Sequence, residues 1–171
     1  MKEFTRNLLA AAILAGLCCG AAMAADLSTV GQWTNKYPFD KIAGGKSLWD
    51  QPGVQAAMRT AMGNRFFALS LKEMHGPEGP VASDGKGVFG AWSCKAHDCG
   101  DNQMTVFFDS ALGSAQVCWR SSGGNSGKVQ DLWLSDGKAH PLPANACGYG
   151  ENDPFAALKK FGGGAEGNPL S

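Results

Sequence analysis

The chain has 171 residues, of which 15 are Lys or Arg and 15 are Asp or Glu, so its formal net charge is zero. A charged fraction of 18% lies below the roughly 25% of an average globular domain, whereas the 44% of apolar residues is ordinary. This composition excludes a disordered charged tail. It also excludes nucleic acid as a partner bound by bulk electrostatics, because no basic excess is present to neutralise phosphates.

The first 24 residues have the features of a secretory signal peptide. Lys2 and Arg6 give the segment a positive start, and residues 8–25 carry no charge. Ala22-Met23-Ala24 then supplies an A-x-A cleavage site. A membrane-spanning anchor is one alternative, but it needs about 20 apolar residues and much of this stretch is Ala and Gly. A lipid anchor at Cys18-Cys19 is the other, and neither cysteine follows a small residue. We therefore expect an exported protein with no membrane anchor after cleavage.

The remainder of the chain has the length of one domain. Without the signal peptide it has 147 residues and a net charge of −1, because two basic residues and one acidic residue are lost. A chain of this length forms one ordinary domain. We place that domain at residues 25–161 and expect residues 162–171 to be a flexible Gly-rich tail.

The first predicted element of this domain is an amphipathic helix over residues 52–62. Pro52 suits its first turn and Gly63 suits its end. The spacing places five apolar residues on one helical face: Val54, Ala57, Met58, Ala61 and Met62.

A meander of about five antiparallel strands is predicted over residues 65–142. Alternation places Met104, Val106 and Phe108 on one face of their strand, and Ser135-Asp136-Gly137-Lys138 is typical of a hairpin turn. The strands are expected at residues 65–71, 87–92, 103–108, 115–120 and 129–134.

A second short helix is predicted to begin near Pro154 and end at Phe161. The expected fold class is therefore α+β, with an antiparallel sheet and one or two helices packed on one side of it.

Four cysteines lie in the exported part of the chain. An even number in an exported protein indicates two disulfides, and four cysteines allow three pairings. The short separation favours a Cys94–Cys99 bond that closes a tight loop, which leaves Cys118 to pair with Cys147. The chain-entropy model assigns about 2 kcal/mol to the small loop and about 3.5 kcal/mol to the large one. We therefore expect the smaller bond to fix the shape of its loop.

The Cys94–Cys99 loop lies between two predicted strands and is the segment that carries chemistry. One interpretation is a metal site made by Cys94, His97, Asp98 and Cys99. All four ligands would then come from one small loop, whereas zinc usually combines a C-x2-C pair with a distant second pair. A Cys–His nucleophile is another interpretation, but it needs a free thiolate. A rigid recognition loop with His97 at its apex is the favoured interpretation. A disulfide-closed turn with a merely exposed histidine is the fourth.

The sequence of this loop, Cys-Lys-Ala-His-Asp-Cys-Gly over residues 94–100, resembles the signature of a known family. The inhibitor of vertebrate lysozyme (Ivy) family of Gram-negative bacteria usually has Cys-Lys-Pro-His-Asp-Cys-Gly, so this chain departs only at Ala96. The order of the strands and the segment Leu134-Ser135-Asp136-Gly137-Lys138 extend a looser resemblance over residues 30–150.

The resemblance implies a periplasmic inhibitor of c-type lysozyme, which is not an enzyme and needs no metal or other cofactor. It implies that the loop plugs the lysozyme cleft and that His97 contacts the two catalytic carboxylates. An endogenous lytic transglycosylase is a second implied partner, and some members of the family are homodimers. The implied contact residues are Cys94, Lys95, Ala96, His97, Asp98 and Cys99.

Elementary chemistry agrees with such a role for His97. A retaining glycosidase holds two carboxyl groups about 5 Å apart, and a protonated imidazole donates from both nitrogens. Ala96 leaves the loop slightly freer than proline would, which predicts weaker binding. The alternative function is a periplasmic binding module for another cell-wall target, a lytic transglycosylase or peptidoglycan, that does not inhibit lysozyme.

Overall fold

A computed structural model describes residues 24–122, 128–147 and 155–162. Almost all of the predicted signal peptide and of the predicted Gly-rich tail lies outside these described residues. Within them, no helix is long and apolar enough to cross a bilayer.

The core of the fold is one antiparallel sheet whose strands follow each other in chain order. The predicted α+β class is confirmed, with six strands in the described residues in place of about five. The strands are β1 (Ala82–Ser83), β2 (Val88–Cys94), β3 (Gln103–Asp109), β4 (Ser114–Ser121), β5 (Gln130–Ser135) and β6 (Lys138–Pro141).

The β5–β6 hairpin has the turn that its sequence predicts. Asp136 and Gly137 both have positive φ, at 49° and 72°, as a two-residue type I′ turn requires.

The main helix, α1 (Pro52–Glu73), is longer than predicted. Gly63 interrupts it with φ 69° and ψ 165°, but the chain resumes its helical path directly afterwards. The predicted strand at residues 65–71 is therefore wrong. This interruption leaves the Ala61 carbonyl free to accept a hydrogen bond from the Gly137 N–H at 3.1 Å, so the β5–β6 turn docks on the helix at the kink.

The two faces of the sheet are covered by different helices, so the two helices do not share one side of the sheet as the sequence predicts. On the α1 face lie Met104, Val106 and Phe108 of β3, as the alternation predicts. The opposite face packs against the short helix α2 (Ala156–Phe161). Its buried cluster contains Phe107, Cys118, Trp133, Cys147, Phe155 and Phe161.

The tryptophans Trp119 and Trp133 are buried, and Trp119 contacts the α1 residue Phe66 edge to face. Trp92 is half-buried, and its indole N–H donates to the Gln103 side chain at 2.6 Å.

Candidate functional site

The candidate site is the connection between β2 and β3, here called the tip loop (residues 94–102). Cys94 ends β2 and Gln103 begins β3, so the loop projects from one end of the sheet. A disulfide joins Cys94 to Cys99 across its base, with a Cα–Cα distance of 5.0 Å. The second disulfide joins Cys118 to Cys147.

The apex of the tip loop is a tight turn. The Asp98 N–H donates to the Lys95 carbonyl at 3.0 Å, and His97, the third residue of the turn, has φ 63°. A left-handed third residue is typical of a type II turn, in which proline is common at the second position. Ala96 holds that position here. Both Ala96 and His97 are exposed, so the imidazole is presented to solvent at the apex.

The return branch of the tip loop is fixed by the buried residue Asn102. Its backbone N–H donates to the Asp98 carbonyl at 2.9 Å, and its carbonyl accepts from the Lys95 N–H at 2.9 Å. Its side-chain amide donates to the Asp98 carboxylate at 2.6 Å and to the Ser122 hydroxyl at 2.9 Å. One buried side chain therefore orients Asp98, the residue next to His97.

The segment that follows α1 supports the outgoing branch. The Gly76 N–H donates to the Cys94 carbonyl at 2.7 Å, and the Cys94 N–H donates to the Pro77 carbonyl at 3.2 Å. The Ser93 hydroxyl, fully buried, donates to the Met74 carbonyl at 3.0 Å. These bonds attach the segment after α1 to the end of β2, where the tip loop begins.

Replacement of Gly76 by alanine is expected to displace the tip loop. A Cβ atom at Gly76 would lie 2.5 Å from the Ala96 nitrogen and 2.7 Å from the Cys94 oxygen, both backbone atoms. Such overpacking costs about 1–3 kcal/mol, and amide shifts in a ¹⁵N NMR spectrum should concentrate in the tip loop. Gly100→Ala is the matched control, because no atom lies within 4 Å of its Cβ position. Equal spectra for Gly76→Ala and the parent protein would contradict this packing.

Arg120 joins the tip loop to the rest of the sheet. Its side chain is only 12% exposed and pairs with Asp131. Both carboxylate oxygens of Asp131 accept from the guanidinium at 3.2 Å. The Nε–H donates to the Gly100 carbonyl at 2.8 Å.

Other charged groups lie in and behind the tip loop. Lys95 and Asp98 approach to 3.9 Å, an exposed pair that contributes little to stability. Behind the loop, burial raises the pKa of the Glu78 carboxyl above its usual value, although the Phe39 N–H donates to it at 3.1 Å. Asp40 raises that pKa further through charge repulsion.

The structure bears on the two interpretations of the loop that need free cysteines. The sulfurs of Cys94 and Cys99 are bonded to each other, so neither is available as a thiolate ligand or nucleophile. Across the described ranges, no group of three His, Cys, Asp or Glu side chains could hold a metal ion. His97 and Asp98 are brought together on a rigid turn, whereas His140 lies on β6 and outside the tip loop.

Sequence reasoning missed the residues that hold the apex of the loop in place. Asn102 and Ser122 come together only when β3 and β4 pair, and Gly76 approaches only after α1 has packed on the sheet. The one local signal is Asn102 itself, a polar residue directly before a strand.

Comparisons with known proteins agree with the loop signature. The model of the inhibitor of vertebrate lysozyme (Ivy) family matches residues 53–149. No curated protein and no solved structure matches the chain. The matched segment is more than half of the chain and contains nearly all of α1, the six strands and the whole tip loop. The chain therefore belongs to the inhibitor of vertebrate lysozyme (Ivy) family.

Proposed function

We propose that this protein is a periplasmic inhibitor of c-type lysozyme, exported through residues 1–24, with residues 25–161 as its single domain. In this proposal the tip loop enters the lysozyme cleft and His97 contacts the two catalytic carboxylates. Family membership supports lysozyme as the partner. The observation that carries the loop mechanism is the exposed imidazole at the apex of a turn braced on both branches.

The geometry of the turn suits a narrow cleft. Ala96 and His97 are its outermost residues, and the flanking charges of Lys95 and Asp98 are about half-exposed. A protonated imidazole that enters between two carboxylates can donate to both, and each bond is charge-assisted. Asp98, held by Asn102, lies beside this imidazole in the chain and would face the cleft rim.

Rigidity in the free protein supports tight binding. A loop that is ordered before docking loses little conformational entropy when it docks. The disulfide, the Lys95–Asp98 turn and the Asn102 contacts each restrict the same few residues. Net charge contributes little, because at −1 the exported chain provides weak attraction to a basic lysozyme.

The test is a titration of purified residues 25–171 into a c-type lysozyme that is lysing Micrococcus-type cell walls. We expect stoichiometric loss of lysis with the oxidised protein and recovery of lysis after reduction. Far-UV circular dichroism of the reduced sample controls for unfolding. Full lysis in the presence of oxidised, folded protein would reject the proposal and direct the search to a lytic transglycosylase or peptidoglycan.

A further inference from the structure

Arg120 holds three segments of the chain together through a single guanidinium group. Its Nε–H donates to the carbonyl of Gly100, which is the residue after the loop disulfide. One terminal nitrogen donates to both oxygens of Asp131 on β5, and the other donates to the Asn145 side chain at 3.0 Å. The side chain therefore links the tip loop, the sheet and the segment before Cys147.

The register of the sheet explains how Arg120 reaches all three segments. Arg120 on β4 lies opposite Gln103 of β3 on one side and opposite Asp131 of β5 on the other. Gln103 directly follows the tip loop. Arg120 lies on the same face as Cys118, two residues earlier on the strand. The Asp131 side chain is 1% exposed and also accepts from the Cys147 N–H at 3.3 Å. The buried carboxylate is thus held by the arginine and by the backbone N–H of Cys147, which is one of the two residues of the second disulfide.

We propose that Arg120 is a positioning residue for the tip loop, and that the Asp131 carboxylate and the Cys118–Cys147 disulfide hold it in place. The Gly100 carbonyl is fixed by a donor from the sheet, so the return branch cannot swing away from β4. This inference rests on the proposed function, because the loop is taken as the inhibitory element. It adds that the second disulfide acts on the loop at a distance, through Asp131 and Arg120.

Only arginine satisfies all three acceptors at once. The guanidinium presents five N–H donors in a fixed plane, whereas a lysine ammonium is a point charge on a flexible stem. Arg120→Lys would keep the charge next to Asp131 but lose the planar contact with Gly100 and Asn145. The loss should therefore affect the tip loop more than the sheet.

The test uses the oxidised protein with both disulfides intact and compares Arg120→Lys with the parent protein. We expect faster hydrogen exchange at the Lys95, Asp98 and Asn102 amides and unchanged exchange in the centres of β3 and β5. Inhibition of c-type lysozyme should weaken about tenfold, the size expected for one lost bond to a charged donor. Asp131→Asn removes the charge that orients the arginine and should give the same pattern of exchange.

Arg59→Lys is the matched control, because Arg59 lies on α1, bonds to Asn64 and stacks on Phe67. The inference would be overturned if Arg120→Lys exchanged faster at amides throughout the protein and its inhibition fell only in proportion to the folded fraction. Arg120 would then have a purely structural role. Unchanged exchange in the tip loop would overturn the inference as well. If the parent protein does not inhibit lysozyme, the proposed function fails, and the exchange data still decide whether Arg120 positions the loop.

Discussion

Replacement of His97 by alanine is expected to weaken lysozyme inhibition by roughly 30-fold to a few thousand-fold. In the proposed complex the imidazole lies between two carboxylates in a cleft from which water is excluded. Loss of one partner from such a buried charged contact costs about 2–5 kcal/mol, because the other partner stays buried without its bond. The inhibition constant of the purified variant against c-type lysozyme measures this directly.

Stability should change little in the same variant. His97 is exposed in the free protein, so its truncation removes no core packing. Its φ of 63° is the one complication, because alanine tolerates a left-handed backbone less readily than histidine. His97→Asn tolerates that conformation while removing the imidazole, so it should inhibit as poorly as His97→Ala. His140→Ala on β6 is the matched histidine control. Undiminished inhibition by His97→Asn would exclude the imidazole as the principal contact.

The two disulfides are expected to have separable effects. Cys94→Ser/Cys99→Ser frees the apex, and ordering even two or three loop residues on docking costs about 1–2 kcal/mol each. We therefore expect inhibition to weaken at least about 30-fold, the factor that corresponds to about 2 kcal/mol. The bond closes only a six-residue loop, so stability should fall by no more than about 2 kcal/mol.

The Cys118→Ala/Cys147→Ala variant should lose more stability and less inhibition than the variant without the Cys94–Cys99 bond. This bond connects β4 to the segment after β6 and closes a loop with a sequence separation of 29. Its loss should lower the free energy of unfolding by about 3.5 kcal/mol. Its effect on inhibition should be smaller, and should arise through Asp131 and Arg120. Chemical denaturation and inhibition assays on both double variants check these two expectations. If loss of the Cys94–Cys99 bond lowered the free energy of unfolding more than loss of the Cys118–Cys147 bond, these separate roles of the two disulfides would be contradicted.

The sequence predicts the sheet well because the strand signals are local. Alternation in β3, the Asp-Gly turn before β6 and the first segment of α1 each depend on neighbouring residues. The prediction failed at residues 65–71, where a continuous apolar run does not distinguish a strand from a buried helix. Gly63 is a genuine break in the helix, but nothing nearby indicates that the chain continues as helix beyond it. The docking of Gly137 at the kink is a contact between distant segments.

The same distinction applies to the candidate site. Two cysteines five residues apart, with a histidine and an aspartate between them, identify the tip loop without any structure. The surroundings that make it rigid come from elsewhere. The contacts of Arg120 cannot be seen in the sequence, because its partner Asp131 lies on another strand and becomes a neighbour only through the register of β4 and β5.

The strict chain order of the strands has a consequence for how this protein can diversify. Because each of the six described strands has only its chain neighbours beside it in the sheet, the β2–β3 connection crosses none of the other described elements and sets no register between distant strands. Changes at the apex, at Ala96 for example, can accumulate while the framework is retained. A protein with this fold can adapt to changes in its target enzyme through substitutions of a few residues at one end of the sheet. Its evolutionary constraint should therefore fall on the supporting residues Gly76, Asn102 and Arg120, more than on Ala96.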